Sequence, residues 1–227
     1  MFNFFKIFKL LKFKSNVKIK NIDSYTELMI ACSRFDNYEQ VKSILYKNKN
    51  INIKGKNGNT ALTIAAMFST FRVVKFLLLN NADPNEMNNN METALFNSIN
   101  RANNQIDEFE IIKLLIKNTK NINEYENING ITYLILATKR GHMNIVELLL
   151  NYGVHVNGIN KYGETALMHS LNNNSFMKLL LDFGADIDKQ DNIGNTALIH
   201  AAFKNNKKVI EFLLDYHATE FILNYEN

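Results

Sequence analysis

The sequence predicts an all-α solenoid of about six helix-turn-helix units with short β-turn fingers, and three observations carry that prediction. The first is a repeat: Thr-x-Leu-type steps stand at Thr26, Thr60, Thr93, Thr132, Thr165 and Thr196, spaced 34, 33, 39, 33 and 31 residues apart. Self-similarity at such a period marks a stacked array. The second is an apolar run at helical spacing after each step, at 41–45, 73–78, 111–115, 145–150, 176–181 and 209–214. The third is punctuation. Asn81-Ala-Asp-Pro-Asn, Gly153-Val-His-Val-Asn and Gly184-Ala-Asp-Ile-Asp close their runs as turns.

The elements follow in order along each unit. The threonine starts the first helix, because its hydroxyl satisfies an orphan backbone amide. The second helix ends where Asn48, Asn81, Gly153 and Gly184 hold equivalent places, and Asn and Gly tolerate the left-handed conformation of a helix C-cap. Thr119 and His217 stand there in the third and sixth units, which predicts looser ends. Helices of roughly eight to ten residues are marginal alone, so each unit must bury its apolar face against the next. Leu148, in the most regular unit, is the expected core residue of the fourth repeat. The boundaries are 1–21 for a basic amphipathic N-terminal helix and 22–220 for the array, cut at about 22–52, 53–85, 86–123, 124–157, 158–188 and 189–220. Residues 221–227 form a short tail.

Composition excludes several classes. Of 227 residues, 46% are hydrophobic and 21% charged, which suits a folded, soluble chain. One cysteine, Cys32, leaves no internal disulfide and fits a reducing, cytoplasmic location. No run of about 18 uncharged apolar residues offers a membrane-spanning helix. The formal charge of +4 is uneven: residues 1–20 hold six lysines and no acid, while the remainder carries 20 basic against 22 acidic side chains. The body therefore lacks the basic field that nucleic acid requires. Abundant asparagine, lysine and isoleucine read as the mark of AT-rich codons.

The units resemble the ankyrin repeat. Asn160-Lys-Tyr-Gly-Glu-Thr-Ala-Leu and Asp191-Asn-Ile-Gly-Asn-Thr-Ala-Leu open two of them, and Gly141-His-Met-Asn-Ile-Val-Glu-Leu-Leu-Leu-Asn-Tyr-Gly continues a third. The likeness covers roughly residues 22–220. Departures are specific. Thr63, Met168 and Ile199 replace the family's histidine after Thr-x-Leu, so its hydrogen bond is expected to be lost. Met91 replaces a turn glycine, about five extra residues fall near 101–107 with one more before Thr132, and the fifth unit is about two residues short at 172–175.

The resemblance implies protein–protein recognition on a concave side built from finger turns and first helices, without enzymatic activity or cofactor. Carried over by position, the finger candidates are Lys56, Asn57, Asn90, Glu92, Ile128, Asn129, Lys161, Tyr162, Asn192 and Ile193. The first-helix candidates are Met67, Phe68, Arg101, Lys139, Arg140, Phe203 and Lys204. The expected partner is a protein, not nucleic acid, bound to a monomer.

Catalytic and metal signals are weak. Asp182-Phe-Gly lacks every companion motif of a kinase. Asp186, Asp188 and Asp191 lack the glycine and closing glutamate of a calcium loop and read as an inter-repeat turn. His169 and His200 occupy equivalent places without a third ligand at coordinating spacing. His142 follows the turn glycine as a structural residue, and Cys32 sits at a small packed position.

In the N-terminal segment Phe4, Ile7, Phe8 and Leu11 share one helical face, opposite Lys6, Lys9 and Lys12. Burying the four apolar side chains yields roughly 6–12 kcal/mol, and ordering about ten residues costs as much or more, so the helix must borrow a surface. That surface is either the open face of repeat one or an anionic membrane; a disordered leader is the third reading.

Overall fold

The computed structural model describes residues 26–34, 37–47, 50–68, 70–103, 106–220 and 222–224. The expectations for residues 1–21, including Phe4, Lys6, Ile7, Phe8, Lys9, Leu11 and Lys12, lie outside the described residues.

The described chain forms twelve helices in six pairs. The first helices are α1 (Glu27–Cys32), α3 (Ala61–Phe68), α5 (Ala94–Arg101), α7 (Tyr133–Arg140), α9 (Ala166–His169) and α11 (Ala197–Phe203). Their partners are α2 (Tyr38–Lys47), α4 (Phe71–Leu79), α6 (Ile106–Asn118), α8 (Met143–Asn151), α10 (Asn174–Asp182) and α12 (Lys207–Asp215). The described residues contain no strand, only an isolated antiparallel bridge between Ile159 and Thr165.

Threonine starts every first helix as its chemistry requires. The hydroxyls of Thr26, Thr60, Thr93, Thr132, Thr165 and Thr196 accept the amide three residues on, at 3.2–3.4 Å. The bond expected to be lost with the family's histidine is rebuilt in the second unit. Thr63 Oγ1 accepts from the Thr60 amide and donates to the Thr60 carbonyl, both at 2.8 Å. In the fifth unit Met168 Sδ takes the Thr165 amide at 3.5 Å, a weaker substitute.

The C-cap positions are left-handed as the asparagine and glycine pattern predicts, with φ of 66° at Asn81, 77° at Gly153 and 83° at Gly184. His217 was expected to loosen this end, yet it adopts φ 65° and keeps the turn, with its amide donating to Leu214 O at 2.9 Å. Thr119 does depart: the left-handed residue moves to Asn121, and the Thr119 hydroxyl binds Leu115 O at 2.8 Å.

The first helices form one layer, each packing on its counterparts in the neighbouring units, and the second helices form another, in which α2, α4, α6 and α8 pack one on the next. Small residues, Ala65, Ala94, Ala137, Ala166 and Ala201, let the first helices approach closely, so the core runs unbroken from Leu28 to Ala218. Within α8 the buried face is Ile145, Val146, Leu149 and Leu150. Leu148, the expected core residue, is only partly buried. Three consecutive leucines give no polar marker of phase, and the helix turns the second and third inward.

The irregular units differ as their lengths demand. Of the extra residues in the third unit, most lengthen α6 to 13 residues against nine in α8. The deficit in the fifth unit shortens α9 to four residues.

Between units runs a ladder of asparagine and aspartate side chains. The Oδ1 atoms of Asn52, Asn85, Asn123, Asn157 and Asp188 accept the amides of Asp83, Lys120, His155, Asp186 and Thr219 at 2.7–2.9 Å. Three of these asparagines also donate Nδ2 to a carbonyl of the next unit, at 3.1–3.3 Å. Part of the asparagine excess is therefore structural. Residues 222–224 continue the pattern: Gln190 donates to Leu223 O at 3.1 Å, and Asn224 Nδ2 to Asn195 Oδ1 at 3.2 Å.

Candidate interaction surface

In the third to sixth units each finger is a turn that an Asn or Asp side chain organises from within. Asn88, Asn127, Asn160 and Asp191 each accept two amides of their own turn through Oδ1, at 2.9–3.0 Å. A short polar side chain that mimics backbone in this way fixes a turn with little entropy loss. Gly55 stands at this place in the second unit, where the turn is closed by backbone alone, Gly55 N to Asn59 O at 2.9 Å. The residue after each tip is left-handed, and Met91 takes that conformation too, at φ 58°.

Neighbouring fingers are bonded to each other. Asn89 N donates to Asn57 O at 3.0 Å, Ile128 N to Asn90 O at 3.2 Å, and Asn192 N to Tyr162 O at 2.9 Å. Asn192 Nδ2 adds a bond to Lys161 O at 2.9 Å, and Lys161 Nζ reaches Asn129 Oδ1 at 3.2 Å. The tips of the second, third and fourth units, and those of the fifth and sixth, are thus joined through backbone, and Lys161 Nζ links the fourth to the fifth, while the side chains face water. Ile128 is 61% exposed, Tyr162 58% and Ile193 52%. Lys56, Asn57, Asn90, Asn129 and Asn192 are exposed beside them.

Glu92 is the exception among the finger candidates. It turns back to receive Asn88 Nδ2 at 2.9 Å and braces its own finger, so the tip of this unit is Asn89 and Asn90. The misplacement follows from Met91, which hides the glycine that marks the register elsewhere.

The first-helix candidates gather at the C-terminal ends of α3, α5, α7 and α11. Met67 and Phe68 are half-buried, and Phe68 lies under Arg101, whose Cζ stands 4.4 Å from the ring centroid. Arg140 is fixed by Asn100, whose Oδ1 accepts its Nε at 2.9 Å and also its Nη2. Lys139 and Lys204 are exposed, and Phe203 is 71% exposed.

An open notch of about 600 Å³ lies between the third and fourth units, lined by Asn100, Arg101, Ala102, Asn103, Arg140 and His142. His142 is the N-cap residue of α8 and is buried, and no described group pairs with its Nδ1. Burial, then the Arg140 charge, hold its imidazole below the ordinary range, against an opposing pull from Glu108. Burial also lowers Arg101, with Glu108 acting the other way. Sequence reasoning missed Asn100, Asn103 and His142 as lining residues. The long α5–α6 connection was the available signal.

The histidines of the last two units belong to the fingers. His169 Nε2 lies 3.1 Å from Glu164 Oε2, and His200 Nε2 lies 2.8 Å from Asp191 Oδ2. Asp186 accepts the Asp188 amide, Asp188 the Thr219 amide and Asp191 the Ile193 amide, and among the described residues the three form no metal-holding group. Cys32 is fully buried, and burial pushes its thiol up to about 12. No helix among the described residues is long and apolar enough to cross a membrane.

Paired helices, bonded fingers and nearest-neighbour stacking define a helical-repeat solenoid. The chain belongs to the ankyrin repeat family: the family description "Ankyrin repeats (3 copies)" matches residues 2–88, 28–126, 67–160, 101–191 and 157–224. It is 32% identical over 174 residues to the ankyrin repeat protein L86 of Acanthamoeba polyphaga mimivirus, covering 74% of this chain but only 26% of that protein. The ankyrin repeat domain of Bcl-3 superposes with a TM-score of 0.78 over 90% of this chain and 92% of that one, at 24% identity, a likeness of fold alone. A chain from the complex of the Bdellovibrio bacteriovorus predatory endopeptidase Bd0816 with immunity protein Bd3460 superposes at 0.72, with 28% identity, over 85% of this chain and 98% of that one.

Proposed function

We propose that the finger tips and the C-terminal ends of the first helices dock a partner protein and that the chain turns over no substrate. Ankyrin repeats generally mediate protein–protein interaction. The observation that supports this surface is the row of exposed Ile128, Tyr162 and Ile193 on tips that are each bonded to a neighbouring finger. Large apolar and aromatic side chains on a backbone already ordered spare part of the entropy cost of binding, which suits a binding hot spot. The Bdellovibrio complex, in which an immunity protein meets an endopeptidase, is a related use of a protein surface.

The test is affinity capture with the full chain, compared with Tyr162→Ala combined with Ile193→Ala, and with Lys178→Ala on the exposed side of α10. A protein held by the parent chain and the α10 variant, and lost by the finger variant at unchanged melting temperature, is the expected result. Equal retention by both variants overturns the finger assignment.

A further inference from the structure

We propose that the notch between the third and fourth units binds a carboxylate side chain, so that the partner presents a Glu or Asp within an acidic segment. This inference rests on the docking role proposed above and adds the chemistry of one subsite to it.

Both guanidiniums at the notch are oriented before any ligand arrives. Arg101 is stacked on Phe68 at 4.4 Å. Arg140 is held by the neutral Asn100 carbonyl and pairs with no carboxylate among the described residues. A guanidinium binds carboxylate through a planar fork of N–H donors, and Asn100 occupies Nε and one Nη2 proton of Arg140. The remaining donors on Nη1 and Nη2 are left for an incoming anion. Because the side chains are already fixed, less entropy is lost on association than at a freely rotating surface arginine.

Two further features favour an anion. The notch meets the N-terminal end of α8, a helix of nine residues whose amide dipoles point positive charge toward it. At that end sits His142, 7% exposed, its Nδ1 without a partner. A buried imidazole nitrogen left unpaired carries a desolvation cost that a proton, shared with a nearby anion, removes. Among the described residues the opposing group is Glu108 on α6, which accepts the Asn103 amide at 2.6 Å and acts on both Arg101 and His142. Against it stand Arg101 and Arg140, so the notch keeps net positive charge. The described part of the turn after α5, Ala102 and Asn103, lines one side of it. The subsite is therefore a property of this chain's irregular unit.

The test uses a fluorescently labelled peptide of alternating glutamate and glycine, and its glutamine counterpart, added to the full chain and followed by anisotropy. The glutamate peptide should bind, and the glutamine peptide should bind about ten- to a hundredfold more weakly, as loss of a charged hydrogen-bonding partner implies. Arg140→Gln should weaken the glutamate peptide by a similar factor, and Arg140→Lys should restore part of it. In NMR titrations the His142 imidazole should take up its proton at higher pH once the glutamate peptide is present. Equal affinity for the two peptides, an unchanged affinity in Arg140→Gln, or an unmoved His142 titration each overturns the proposal. Preferential binding of an equally charged DNA oligonucleotide does so as well. Because Tyr162 and Ile193 lie outside the notch, capture lost by their variant but kept by Arg140→Gln would retain the docking surface and reject the carboxylate subsite.

Discussion

Replacing Leu149 by alanine should cost far more than the same change at its neighbour. Leu149 is completely buried, at the seam where α8 meets α7 and the preceding second helix α6. Removing three carbons forfeits about 2.4 kcal/mol of transfer free energy at about 0.8 per methylene. The cavity left in a close-packed seam raises the total to about 3–5 kcal/mol. Leu148 is only half-buried, so Leu148→Ala should cost about 1 kcal/mol on the same scale. For a chain of this size each kcal/mol moves the melting temperature by roughly 2–4 °C, which places the Leu149 variant about 6–20 °C below the parent. Urea unfolding followed by far-UV circular dichroism measures both values. A Leu149→Ala loss below about 0.5 kcal/mol, or a larger loss for Leu148→Ala, would refute the assignment of the buried face.

Other perturbations follow from described geometry. Gly163→Ala should destabilise more than Gly153→Ala: both are left-handed, but a Cβ at Gly163 would stand 2.6 Å from Asn192 N and break the inter-finger bond, while nothing lies within 4 Å at Gly153. Similar melting temperatures for the two would mean that the fingers are not coupled. The Cys32 thiol, buried and raised to about 12, should resist alkylation in the folded chain and react once urea opens repeat one; rapid labelling of the native chain would contradict this packing. His169 is held below its ordinary value by burial first and then by Lys139 and Lys204, against Glu164, and His142 is lowered as well. The unfolded chain therefore takes up these protons first, so stability is full above about pH 6.5 and falls as the pH drops below it. His169→Gln should lessen the drop in urea midpoint between about pH 7.5 and about pH 5.5, and an identical drop in both chains would exclude His169 as a source.

What could be read in advance depended on whether the signal was local. The Thr-x-Leu caps and the left-handed Asn81, Gly153 and Gly184 ends are set within a few residues, so spacing alone places them. Leu148 reads as core because three leucines in a row leave the helical phase ambiguous, and Glu92 reads as a tip residue because Met91 stands where a glycine would mark the turn. The ladder from Asn52 to Asp188 does recur along the chain, but in an asparagine-rich sequence its members look like ordinary loop residues. The Arg140–Asn100 clamp joins residues 40 apart in sequence and exists only through stacking register, which no local pattern encodes.

That ladder also has a mechanical consequence. Its rungs, from the Asn52–Asp83 contact to the Asp188–Thr219 contact, each tie one unit to its immediate neighbour, and none spans two. A pulling force applied at the two ends is then resisted by one junction at a time, since no distant contact shares the load. Under steady extension the stack should yield in discrete steps of about one repeat length, with the short α9 unit a natural place for the first rupture.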